Sequence, residues 1–386
     1  MAWQAVPAVP DLEPELSVSA PAPLIPSPAT TSSAYPPPPP PRRWARVWWL
    51  LAPMMVVTAG LIALSTLATA PYSTLAPGEA RDASPLVTVS GAKTYRHDGK
   101  VEFVTVSVTN RPRYIEALYG WLDPDTDVFP RDDITEGRST QDDNRYNALL
   151  MQMSQQAATY QALKRLGFRV QQSAAGVLIN DVSPKSPADG VLKAGDVIVG
   201  IDGFSINSAT DLRTYLRQRQ GGEHVQVVVN RYGVKDGLKV PLTLGSKTVD
   251  GQKTAFIGII MDNMVRYHLP FGVNFDTGAV GGPSAGLSFT VTLIDELSKK
   301  GLTKGNNVAI TGTMQTDGTV GDVGGVAQKT VAVRQSGADY FLVPADEYRE
   351  AQAHAGSHLK VIKVTTLDDA LAALQRLPAK VQKKAS

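Results

Sequence analysis

The sequence predicts an α+β chain that includes one mostly β unit and is preceded by one membrane-spanning helix. Three observations predict this. Val47 to Ala70 is a stretch of 24 residues without a charge. Residues 165–245 read as short strands punctuated by turn chemistry. Outside that unit, alternating β-branched runs stand beside apolar helical periodicities.

Composition bounds the function. A chain of 386 residues suggests two or three domains. Lysine and arginine total 38 against 36 acids, a balance of +2, which argues against a nucleic-acid partner. There is no cysteine, so thiol nucleophiles, disulfides and cysteine zinc sites are excluded. The histidines His97, His224, His268, His354 and His358 form no HExxH. No metal and no cofactor is expected.

Of 27 prolines, 13 lie in residues 1–41. Residues 1–46 therefore read as a disordered, proline-rich tail, either a flexible extension or a ligand for a proline-recognising partner. Residues 47–70 follow as the spanning helix, since about 20 apolar residues cross ~30 Å of hydrocarbon. Arg42, Arg43 and Arg46 precede it, and Trp48 and Trp49 stand at interfacial depth. The basic flank stays cytoplasmic, which puts the tail inside and everything after residue 70 outside. Ala68-Thr69-Ala70 also fits a signal-peptidase site, but the apolar run exceeds the usual ~7–15 residues, and Pro71 would make the scissile amide tertiary.

Residues 71–92, with Pro71, Pro77, Gly78 and Pro85, read as a linker. Val101 to Val108 alternates as a strand. Residues 121–145 are acidic and turn-rich, a solvated loop without the EF-hand calcium spacing. Asn147 to Leu166 has helical periodicity, with Gly167 as its stop. Beyond it come the strands Val177–Ile179 and Val197–Ile201 and a tight turn at Asp202-Gly203. Ser208 caps a helix over Ala209–Arg219, and strands at Val225–Asn230 and Leu238–Leu244 close the unit.

SPADGVLKAGDVIVGIDGFSI, followed by a helix and VQVVVNR, resembles a PDZ domain over about 80 residues. Its Gly195-Asp196 and Asp202-Gly203 carry the likeness. The resemblance implies peptide binding by strand addition, with a loop at Leu166, Gly167 and Phe168 holding a terminal carboxylate. Arg165 stands where that family usually has a first glycine.

The chemistry concentrates at GGPSAGL, residues 281–287. A serine among small residues, just before an apolar helix over Leu287–Leu297, is approachable. Backbone at Gly282, Pro283 and Ala285 shapes the turn or stabilises an oxyanion. Gly282 to Gly286 also fits G-x-S-x-G, the esterase nucleophile elbow, which would require Asp346 with His354 or His358.

Downstream, VAITGTM leads through Asp317-Gly318 and Gly324-Gly325 to Gln328-Lys329-Thr330, with Lys329 placed 45 positions after Ser284. Together with GGPSAGL, ADYFLVPADEYREA and TTLDDALAAL, this resembles the Lon proteolytic domain. The resemblance implies Ser284 as nucleophile, Lys329 as general base and Thr311 as support for the lysine. A lysine buried among apolar neighbours loses basicity and can take the serine proton.

VEFVTVSV and MSQQAA, residues 153–158, resemble the early strand and first helix of the same family. Met153 stands where the family usually has an acid, and Gly281 where full-length Lon enzymes carry one. The likeness implies an insertion: residues 93–166 begin the protease domain, residues 167–245 form the PDZ unit, and residues 246–386 complete the catalytic part, resuming near Ile257–Met261. The whole set resembles the PDZ-containing Lon-like membrane proteases of bacteria.

No GxxxxGK[ST] occurs in the sequence, so neither a P-loop nor ATP-driven unfolding is expected. The expectation is a single-pass, membrane-anchored serine endopeptidase. It acts without ATP on unfolded or extended extracytoplasmic proteins or peptides, and its PDZ unit binds or gates. Its partners are substrates and, through residues 47–70, membrane lipid; a homo-oligomer is left open. The rivals are a tethered PDZ scaffold with an inactive protease domain and an α/β-hydrolase esterase.

Overall fold

A computed structural model describes residues 43–380 apart from 236, 250 and 279. Residues 1–42 of the expected proline-rich tail lie outside the described residues. The chain divides between Thr58 and Ala59, within the first helix, α1 (Arg43–Leu67). Its side chains are described from Leu51, and every residue from there to Leu64 is exposed. Among the described residues no helix is long and apolar enough to cross a membrane.

The helix stops three residues short of the expected Ala70. Ala70 is 1% exposed, and its amide donates to the Pro112 carbonyl at 2.7 Å. Thr69 forms an isolated bridge with Arg113. These last residues of the expected span therefore belong to the folded part.

The expected linker over 71–92 is instead a strand, β1 (Tyr72–Asp82), a 3-10 turn (Ser84–Leu86) and a second strand, β2 (Val87–Ser90). Next come β3 (Lys100–Asn110) and α2 (Tyr114–Leu122). The acidic stretch read as loop holds β4 (Asp127–Pro130), α3 (Arg131–Thr135) and the start of α4 (Thr140–Arg165). α4 begins ahead of the expected Asn147 because Ser139 caps it, accepting the Asp142 amide at 3.1 Å.

The inserted unit runs through β5 (Gln171–Val182), β6 (Asp196–Ile201), β7 (Phe204–Ser205), α5 (Ala209–Arg217), β8 (His224–Arg231) and β9 (Leu238–Thr243). Its core gathers Ile179, Ile198, Leu212, Val227 and Val240. Asp202 and Gly203 form the expected turn, with φ of 45° and 83°. The Asp202 carboxylate fixes it, accepting the Gln226 amide at 2.6 Å and the Tyr215 hydroxyl at 2.7 Å. Asp196, 1% exposed, takes both Arg231 nitrogens at 2.6 and 2.7 Å, so the Gly195-Asp196 signature is structural.

A hairpin of β10 (Gly245–Val249) and β11 (Gln252–Phe256) follows, then β12 (Ile259–His268). β12 pairs antiparallel with β5 from Ile259↔Val182 to His268↔Gln171, giving the sheet order β12-β5-β6-β8-β9. Ala255 and Ile257 join the inserted unit's core. The sheet that contains β5 therefore takes in β12, past residue 245.

The remaining elements are β13 (Gly272–Phe275), α6 (Gly286–Leu297), β14 (Asn307–Ile310), β15 (Thr313–Met314), β16 (Val320–Gly321), α7 (Val326–Ser336), β17 (Tyr340–Pro344), α8 (Tyr348–His354), β18 (Lys360–Val364) and α9 (Leu367–Arg376). They complete a mixed sheet of order β18-β17-β14-β3-β1-β4. Its strands alternate between two cores, as the two-residue pleat requires. Val308, Ile310 and Leu342 pack with α6 and α9 residues. Ala309, Phe341 and Val343 pack on the other face with Val326 and Val333 of α7. Helices on both faces of one sheet present the loops before α6 and α7, which carry Ser284 and lead to Lys329.

Candidate active site

Ser284 lies half-buried in the turn that opens α6. The turn is held from three sides. The Gly282 amide donates to the Asn147 carbonyl at 2.9 Å, and the Ser154 hydroxyl donates to the Pro283 carbonyl at 2.9 Å. The Ser284 carbonyl accepts the Gly312 amide at 3.0 Å and the Thr311 hydroxyl at 3.4 Å. Of the three backbone positions expected to stabilise an oxyanion, Pro283 has no N–H and Gly282 has already spent its own. Both therefore serve the shape of the turn.

Close packing explains the small residues of the motif. A Cβ on Gly286 would lie 2.8 Å from the Met314 nitrogen and 2.9 Å from the Ser154 hydroxyl. Gly312 has φ +145°, and a Cβ there would meet Val320 at 2.6 Å. Glycine at 286 lets α6 touch both α4 and the strand pair beside it. Glycine at 312 lets the chain turn back onto Ser284.

Lys329 lies one turn into α7, behind Gly325 in the left-handed conformation. It is 2% exposed, with Gln328, Thr330 and Val331 buried beside it. Burial disfavours the ammonium and lowers Lys329 to about 8; the negative charge of Glu347 opposes that shift. Burial likewise pushes Glu347 up to about 7, against the Val323 N–H and the charge of Lys329. Val323 donates to one Glu347 oxygen at 3.1 Å. The other oxygen is buried without a hydrogen-bond partner among the described residues.

Thr311 belongs to the Ser284 half of the site. It bonds to Ser284 and directly follows β14, whose Ala309 shares a core with Val326 of α7. The structure thus brings Thr311 to Ser284 and buries Lys329 on α7. Sequence reasoning missed Asn147, Ser154 and Glu347. Ser154 lay inside the MSQQAA motif, but only the fold reveals that its hydroxyl reaches Pro283. Glu347 lay inside ADYFLVPADEYREA, but only the fold shows that its carboxylate accepts the Val323 amide.

The esterase alternative finds no support in these surroundings. His354 Nδ1 lies 3.0 Å from the Glu350 carbonyl of its own helix, while Asp346 and His358 are exposed. Among the described residues no histidine–carboxylate pair accompanies Ser284.

The expected carboxylate loop is also corrected. The amides of Leu166, Gly167 and Phe168 donate to Ala162, Lys164 and Leu163 at 3.0, 3.1 and 2.9 Å. With Gly167 at φ +85°, these three residues close the end of α4 and leave no amide nest for a carboxylate. The groove beside β5 is filled as well. β12 lies along the edge where an added strand would pair, and its Asn263 side chain accepts the Ala209 amide of α5 at 2.7 Å.

Comparison with known proteins agrees with both units. Residues 164–242 match the PDZ domain family, and residues 252–376 match the Lon protease (S16) C-terminal proteolytic domain. Lon protease 1 of Sorangium cellulosum is 32% identical over 126 residues, 32% of this chain and 15% of that protein. The Lon protease of Mycoplasma mycoides is 27% identical over 159 residues, 38% of this chain and 19% of its own length. The chain therefore spans less than a fifth of these relatives. The PDZ domain of the SdrC-like protein from Listeria monocytogenes is 29% identical, covering 22% of this chain and 86% of that one with a TM-score of 0.20. Residues 164–242 are thus similar to a PDZ domain and residues 252–376 to a Lon-type proteolytic domain.

Proposed function

We propose that this protein is a serine peptidase: a membrane-anchored, ATP-independent endopeptidase for unfolded or extended extracytoplasmic proteins, with Ser284 as nucleophile and Lys329 as general base. The observation that carries the reading is the burial of Lys329. At pKa about 8 a usable fraction is neutral near physiological pH, whereas an exposed lysine holds its proton. Neutral Lys329 takes the Ser284 proton as Oγ attacks the scissile carbonyl, forming the C–O bond and a tetrahedral oxyanion. The Ala285 amide, at the start of α6, is the donor to that oxyanion. Collapse breaks the C–N bond, and Lys329 returns the proton to the leaving amine. Water then cleaves the acyl-enzyme by the same route.

Three further features support the finer parts. The absence of a P-loop favours action without ATP. The exposed apolar side chains of α1, among them Met54, Val56 and Leu61 at 62, 72 and 61%, suit a helix surrounded by lipid. Arg42, Arg43 and Arg46 set its cytoplasmic end.

The position of β12 favours a gating role for the PDZ domain over simple delivery. A peptide adding beside β5 must displace β12, and the chain from β12 runs through β13 to Ser284. The test is cleavage of an unfolded protein by the full chain without nucleotide. Wild type should cleave and Ser284→Ala should not; equal cleavage by both would reject the assignment, and strict dependence on ATP would reject autonomy.

A further inference from the structure

α2 is a nine-residue helix, YIEALYGWL, with its large apolar residues on the outside. Tyr114, Leu118, Tyr119, Trp121 and Leu122 are 47, 49, 68, 75 and 65% exposed. At 100° per residue, Tyr114, Leu118, Trp121 and Leu122 fall on one face, with Ile115 and Tyr119 at its margin. The opposite side is small and buried. Ala117 is 9% exposed, and a Cβ on Gly120 would meet Thr126, Thr74 and Val128 within 3.3 Å. These small residues hold α2 close against β1 and β4, so the helix cannot roll its aromatic face inward. A contiguous apolar patch on a soluble surface is costly unless something covers it.

The place of α2 in the chain says what covers it. Its first amide, Tyr114 N–H, donates to the carbonyl of Ala68 at 3.3 Å, and Ala70 N–H donates to Pro112 at 2.7 Å. Thr69 and Arg113 form a bridge. Ala68 is the first residue after α1, so α2 is pinned where α1 ends. The composition suits that depth, since tryptophan and tyrosine favour the boundary between hydrocarbon and headgroups. Glu116 caps the helix by accepting the Arg113 amide at 2.8 Å, away from the apolar face. Arg111 and Arg113 are exposed beside it and fit anionic headgroups. Asp123 and Asp125 follow at the far end, so apolar burial rather than net charge drives the contact.

We propose that the aromatic face of α2 lies in the headgroup region of the same bilayer that α1 crosses, holding the protease domain against the outer membrane surface. The proposal rests on the reading of α1 as an anchor. With a rise of 1.5 Å per residue, α2 presents about 13 Å of helix to the lipid. It makes the anchor a two-point attachment and limits how far the catalytic domain can swing from the membrane.

The chain has no cysteine, so single cysteines can be placed and labelled cleanly. The full chain is prepared as Leu118→Cys, Val57→Cys and Lys239→Cys, each labelled with an environment-sensitive nitrobenzoxadiazole. Each is then reconstituted in phosphatidylcholine–phosphatidylglycerol vesicles carrying nitroxide lipids. The expected result is that the Leu118→Cys label loses most of its emission with shallow nitroxides, the Val57→Cys label with deep ones, and the Lys239→Cys label with neither. Quenching at 57 without quenching at 118 keeps the anchor and overturns this proposal. Quenching at 118 alone upholds the α2 contact and removes the anchor. A label at 118 that is shielded only as protein density rises, and never quenched by lipid, assigns the face to a second copy and overturns the proposal.

Discussion

The Ala209 amide at the start of α5 donates to the Asn263 side chain of β12 at 2.7 Å, so the PDZ helix grips a strand of its own chain. Asn263→Ala removes that bond, at a cost of about 1 kcal/mol and hence about a fivefold rise in β12 opening. Hydrogen exchange should quicken along Val265–His268, where β12 pairs with Gln171–Ala174. If β12 is a gate, turnover of both a short reporter and an unfolded protein should rise. Faster exchange with unchanged turnover of both would make the strand purely structural.

The pH profile follows from Lys329. Its pKa is lowered to about 8, and the base must be unprotonated. The rate therefore rises with pH, from about a tenth of its maximum at pH 7 to a plateau near pH 9. Glu347 raises that pKa by its charge. Glu347→Gln should move the rising limb of kcat/KM to lower pH, because the ammonium loses a stabilising partner. A limb that stays in place, or moves up, would show that Glu347 does not act on the lysine.

The same burial predicts a trade between stability and activity. Keeping a lysine buried and depressed costs the folded state on the order of 3 kcal/mol at neutral pH. Lys329→Met fills the same space without a charge. It should abolish cleavage yet raise the melting temperature by several degrees. The cost grows as pH falls from the unfolded lysine's pKa toward Lys329's folded pKa of about 8 and levels off below it, so the gain of the variant should be larger at pH 6 than at pH 9. A lower melting temperature at both would contradict the buried-base assignment.

Ser154→Ala removes the hydroxyl that holds the Pro283 carbonyl at 2.9 Å. Ser154 is 5% exposed, so the acceptor is left dry at a cost of about 1 kcal/mol. A loosened Ser284 turn should lower kcat about tenfold with little change in KM. An altered KM at constant kcat would move Ser154 to substrate binding.

The legible parts of this fold were those with local causes. GGPSAGL announced a tight turn before a helix, and the structure packs Gly281 against Asn147 and Gly286 against Met314, while Gly282 takes φ +86°. Ser208 announced α5, and its side chain accepts the Asp211 amide at 3.2 Å. β1 was hidden by Pro77 and Gly78, which read as linker chemistry. The fold accommodates them with a bulge between Pro77 and Ala80. β4 pairs only with Tyr72–Leu75, so the missing Pro77 N–H loses no bond on that side. Gly78 is needed because a Cβ would meet the Thr105 carbonyl at 2.5 Å. β12 could be read as a strand but not placed, since pairing with residues about 90 positions away leaves no local mark. Glu347 became visible only when α8 brought it to Val323.

The central claim is that Ser284 and Lys329 act as one unit. The most direct test measures cleavage of an unfolded protein by the full chain, without nucleotide, in Ser284→Ala, Lys329→Ala and the double variant. The account predicts that each single change abolishes cleavage and that combining them costs almost nothing more. Wild-type cleavage by Lys329→Ala, together with loss in His354→Ala or His358→Ala, would contradict it.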